Sequence, residues 1–117
     1  MKDLKALTKK IIEFREEREW SKYHNLKDLA ISLSLETSEL LEHFQWKNGE
    51  ELDKYISKNK DCLSKEVSDV LYCVLLISHE LKIDLIQSFN KKMVENAKKY
   101  PIKEFKGSNK KYNKAKL

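Results

Sequence analysis

Apolar residues recurring every three to four positions, in four separate runs, constrain the fold of this chain more than any other feature. Leu4, Leu7, Ile11 and Phe14 form one stripe, predicting a helix over about Asp3 to Glu19. Leu26, Leu29, Leu33, Leu40 and Phe44 form a second, with Asn25 as its N-cap and Gly49 as its stop. Leu63, Val67, Val70, Val74, Ile77 and Leu81 mark a third, for which Asp61 is the expected cap. Leu85, Phe89, Met93, Ala97 and Tyr100 mark a fourth, opened by a capping box of Asp84 and Gln87 and ended by Pro101. A period near 3.6 gives each helix one face to bury against its neighbours, and the caps satisfy backbone N–H groups that the first turn leaves unpaired. Two glycines and one proline leave little material for the turns of a sheet. The predicted fold is all-α and four-helix-bundle-like, with a short extra helix or loop over roughly 50 to 60, between the second and third long helices.

The longest apolar run, VLYCVLLI at 70–77, is far short of the roughly 20 residues that span a bilayer, which argues against a membrane role. The opening MKDLKALTKK lacks the apolar core of a secretory signal, so a cytoplasmic location is expected. Cys62 and Cys73, eleven residues apart, match no zinc or redox spacing and read as two buried thiols. The net charge of +5 comes from one end: residues 91–117 carry ten lysines against Glu95 and Glu104, whereas residues 1–90 are slightly acidic. Residues 102–117 are therefore expected to be a flexible basic tail behind a domain of residues 1–101. Such a tail raises the alternative of a non-catalytic helical binding module that contacts nucleic acid through lysines. Its lack of arginine and its scattered aromatics disfavour that alternative.

The second helix breaks its own pattern. Glu36 falls where the Leu29 and Leu33 row should continue, with Glu39 one turn on, and the third helix carries Glu66 and Asp69 at the same spacing. Residues at i and i+3 share a helix face, so antiparallel packing through the stripes would bring the two pairs together. Elsewhere the acids have lysines one turn away, as Glu13 has Lys9 and Lys10, but Glu36 and Glu66 have no basic neighbour on their own helix. Two like charges about 5 Å apart repel by roughly 3 kcal/mol at an effective dielectric of 20, and a cation is the natural compensation. Hard carboxylate oxygens without convergent Cys or His suit Mg²⁺ or Mn²⁺. Di-iron is disfavoured because its Glu-x-x-His signature is missing: the residues three before His43 and His79 are Leu40 and Leu76.

The order E-x-x-E, 26 residues, E-x-x-D, together with EFREEREWSKYH, ETSELLEHFQW, KEVSDVLYCVLL, IDLIQSFNKKM and NAKKYP, resembles the MazG-like all-α nucleoside triphosphate pyrophosphohydrolases, in particular their dCTP pyrophosphatase branch. That resemblance covers about residues 13–101. It implies Mg²⁺ or Mn²⁺ held by Glu36, Glu39, Glu66 and Asp69, which are also the catalytic set, and cleavage between the α- and β-phosphates of a nucleoside triphosphate. The expected substrate is dCTP or a modified dCTP, with Glu39 as the expected base. It also implies a nucleobase pocket with Trp20, His24 and Trp46, phosphate contacts from Lys92 and Asn96, and Tyr100 completing that face. A homotetramer built as a dimer of dimers is implied as well. Leu35 and Ser38 stand where relatives often have glycine, and Cys73 where they have tyrosine.

Overall fold

In a computed structural model, which describes residues 3–109, the Asp3 side chain accepts a hydrogen bond from the Ala6 backbone N–H and opens α1, Leu4–Glu17. After a left-handed residue at Glu19, a single 3-10 turn over Ser21–Tyr23, which periodicity did not announce, leads to Asn25. Asn25 caps α2, Leu26–Phe44, accepting from the Asp28 N–H at 2.8 Å. The short extra element is a helix, α3, Gly49–Lys58, followed by α4, Lys60–Glu80.

Several boundaries differ from expectation. Gly49 does not stop α2: that helix ends at Phe44, Trp46 takes the left-handed turn at φ 68°, and Gly49, also left-handed, begins α3. Asn59 rather than Asp61 precedes α4, with Asp61 in its first turn, where a carboxylate meets the positive end of the helix dipole. Cys73 is buried, but Cys62 is exposed.

The helices α1, α2 and α3 all pack on α4. This central place explains why its VLYCVLLI run lacks a polar side: Leu75 and Leu76 are each 1% exposed, with Cys73 and Ser78 buried beside them. The stripe expected to be buried is interrupted, because Val67 within it and Leu81 at its end are exposed. Arg15 of α1 is buried at 4% exposure and donates from Nη1 to Glu80 Oε1 at 2.6 Å, fastening α1 to the end of α4.

The chain divides into two compact units after Lys82, itself left-handed at φ 56°. In the second unit, Asp84 caps α5, Leu85–Lys99, by accepting from the Gln87 N–H at 3.1 Å, the first half of the expected box. Tyr100 and Pro101 end α5 as expected. Within the segment expected to be tail, Ile102–Phe105 forms a short helix, α6, and the Phe105 ring meets that of Tyr100 at 5.0 Å. The rest of the expected tail, residues 110–117, lies outside the described residues. Among the described residues there is no strand, and no helix is long and apolar enough to cross a membrane.

Candidate active site

Glu36 continues the Leu29 and Leu33 row of α2, Glu39 lies exposed one turn on, and Glu66 comes from α4. One carboxylate oxygen from each of the three lies within 4.8 Å of the others. Glu66 lies against His43, while Glu36 senses Asp69 and Cys73, so α2 and α4 run antiparallel here. Asp69, one turn beyond Glu66, is exposed and is not part of the three-oxygen group, but its charge acts on Glu36. Burial pushes the Glu36 carboxyl above its usual range, and the charges of Glu39, Asp69 and Glu66 push it further. Burial also raises the Cys73 thiol, helped by the charges of Glu36 and Asp69.

The group fits a divalent cation. Glu36 Oε2 and Glu66 Oε2 are buried without a hydrogen-bond partner, and a buried carboxylate oxygen left unpaired is costly. The donors are all oxygens, as Mg²⁺ and Mn²⁺ prefer. His43, one turn after Glu39, does not pair with it. Its Nε2 lies 3.4 Å from Glu66 Oε1, and its Nδ1 lies 2.5 Å from the Tyr55 hydroxyl of α3. Glu39, Glu42, His43, Tyr55 and Glu66 line an open cleft of about 430 Å³.

A second cavity, of about 490 Å³, is mostly apolar and is lined by Lys10, Ile11, Phe14, Trp20, Asp69 and Tyr72. The Phe14 ring meets those of Trp20 and Tyr72 edge-on, at 5.6 and 6.4 Å. The Arg18 guanidinium covers the Phe14 face at 3.7 Å. Asp69 therefore belongs to this wall while lying one turn from Glu66. Tyr72 comes one residue before the Cys73 that departs from the relatives' tyrosine. Sequence reasoning passed over Tyr72 and Phe14; the available signal was that Tyr72 follows Asp69 by three residues and so shares its side of α4.

Of the remaining expected residues, His24 packs its ring 6.5 Å from Trp20 and leaves Nδ1 buried without a partner. Its surroundings are Arg15 and Glu80, not the acid group. Trp46 is 87% exposed and lines neither cavity. Lys92, Asn96 and Tyr100 lie in the second unit. There Lys92 approaches Glu95 at 3.8 Å, and Asn96 Nδ2 contacts Met93 Sδ at 3.9 Å.

The MazG-like family matches residues 31–114. The dCTP pyrophosphatase 1 of Mus musculus is 35% identical over 102 residues, and that of Homo sapiens 32%. In each case the match covers 86% of this chain and 60% of the relative, so the chain spans about three fifths of the length of these relatives. A crystal structure of a pyrophosphatase from Archaeoglobus fulgidus superposes with a TM-score of 0.80 at 35% identity, covering 86% of this chain and 94% of that one.

Proposed function

This chain belongs to the MazG-like family, and on that premise we propose that it is a metal-dependent pyrophosphohydrolase, cleaving a nucleoside triphosphate between its α- and β-phosphates. The observation that carries this reading is the convergence of Glu36, Glu39 and Glu66, with two buried oxygens unpartnered. Metal ligation extends to Asp69 in this reading, although its carboxylate lies outside the three-oxygen group. A bound Mg²⁺ or Mn²⁺ would neutralise phosphate charge and make a water a better nucleophile. Glu39, on the open cleft, takes the proton of the attacking water.

The aromatic cavity is the seat of the nucleobase. Trp20 and Tyr72 offer stacking faces, and Asp69 on its wall keeps the base within reach of the acids. The relatives named dCTP pyrophosphatase 1 support dCTP, or a modified dCTP, as the substrate. His24 joins this reading through Trp20, whose ring it packs against. Lys92 and Asn96 keep the phosphate-contacting role that the resemblance implies, with Tyr100, the C-cap of α5, completing their face. Trp46, with its ring free in solvent, is suited to reach a neighbouring copy's site, consistent with a homotetramer. The reading of a nucleic-acid-binding module is not favoured, because the family match and the pyrophosphatase neighbour both point to nucleotide hydrolysis.

Incubation of the protein with Mg²⁺ and dCTP should yield dCMP and pyrophosphate; release of orthophosphate would overturn the assigned bond. Glu39→Gln should lower kcat by about 10³-fold. Without metal the same variant should melt at the same temperature or higher, since one repelling charge is gone.

A further inference from the structure

We propose that His43, held by Tyr55, is a positioning residue that fixes Glu66 for the cation site. The inference rests on the reading of the acid group as that site, and goes beyond it by assigning a role to two side chains outside the three-oxygen group. The contacts determine the arrangement of protons. An ionised Glu66 can only accept, so the ring nitrogen facing it, Nε2, carries the hydrogen. Nδ1 of the same ring is then the acceptor, and the Tyr55 hydroxyl donates to it at 2.5 Å. The Nε2 contact to Glu66 Oε1, at 3.4 Å, is the longer of the two. It therefore works mainly by holding the carboxylate in one rotamer, with Oε2 left for the acid group.

The chain of contacts crosses three helices: Tyr55 on α3, His43 on α2 and Glu66 on α4. Lys47 Nζ lies 4.4 Å from the Tyr55 ring centroid and steadies its far side. The arrangement gives the short α3 a purpose that its length alone does not suggest. One of its side chains lines the cleft on which Glu39 and Glu66 open. Partners behind a metal-binding carboxylate or imidazole commonly govern affinity by 10- to 100-fold, because they select the orientation in which the ligand is ready.

Calorimetric titration of MnCl₂ into the full-length, nucleotide-free protein tests this. His43→Ala should weaken Mn²⁺ binding by about tenfold. His43→Gln, whose amide N–H occupies roughly the place of Nε2–H, should stay within about threefold of the original affinity. Tyr55→Phe, which removes only the outer hydrogen bond, should fall between the two. Unchanged affinity in His43→Ala, or equal losses in the Ala and Gln variants, would overturn the inference while leaving the cation site standing. A parent protein that binds no Mn²⁺ would overturn both. Circular dichroism checks that the variants fold, and if His43→Ala does not, Tyr55→Phe decides: weaker binding upholds the relay and unchanged binding overturns it.

Discussion

His24 occupies a place that resists its positive charge. Burial is the larger cause of its lowered pKa, and the nearby Arg15 guanidinium adds to it, with Glu80 only partly offsetting them. The unfolded chain therefore binds a proton at His24 more readily than the folded one below its ordinary value of 6.5. Stability from this group is fully present above that value and is lost as pH falls towards the folded pKa. Thermal melts between pH 7.5 and 5.5 should show the parent losing melting temperature faster than His24→Gln, and parallel slopes would remove His24 from the account. The acids Glu36, Glu39 and Glu66 were legible in sequence because they interrupt an apolar row and, for Glu36 and Glu66, lack a basic neighbour one turn away. His43 was legible only as a histidine that lacks the Glu-x-x-His signature. Its actual partners come from α3 and α4, and periodicity specifies the face of a helix without specifying which rotamer reaches across. Tyr72 escaped notice for a related reason: the tyrosine looked for was at position 73, where the structure buries a thiol.

Among the elements, the four long helices and the caps Asn25 and Asp84 follow directly from spacing and local chemistry. The breaks around Glu19, Trp46 and Lys82 do not, because each is a left-handed residue that is not glycine, a conformation that neither apolar spacing nor a glycine marks in sequence. Arg15 is the other element-scale surprise, a cation on a helix face bordering the core. Its contact with Glu80 is asymmetric in burial, with side-chain exposures of 5% and 32%. The partner left behind decides the cost of breaking it. Glu80→Ala leaves the buried guanidinium with Glu16 alone, 3.4 Å from its Nε, and should destabilise by about 3 kcal/mol. Arg15→Met leaves a carboxylate that can turn to water and fills the space with an apolar chain, so it should cost about 1 kcal/mol. Urea denaturation of the two variants measures the order, and an equal or reversed cost would mean that packing around Arg15, rather than its charge, fastens α1 to α4.

Over the whole molecule, the supply of buried apolar surface is small. Among the described residues only Leu29, Cys73, Leu75 and Leu76 are buried apolar side chains, while eighteen large apolar ones are exposed. Domains of this length are already limited in the fraction of surface they bury. A stable homodimer interface removes roughly 1,600 Å² or more, which is the scale of compensation this surface invites. On α2, Ile31 and Leu35 lie one turn apart, exposed, away from the Leu29 and Leu33 row that packs inward. Such a face fits a second copy of the chain better than it fits water. Light scattering should therefore give a mass of four times 13.9 kDa, or twice that subunit mass if only the first interface holds. Replacing Ile31 and Leu35 together by lysine puts two charges on each side of a symmetric contact, where like charges meet. The variant should run as a lighter species with unchanged helical content. If its mass equals the parent's, the α2 face is not the contact, and if the parent itself is monomeric, the exposed apolar surface has a different partner.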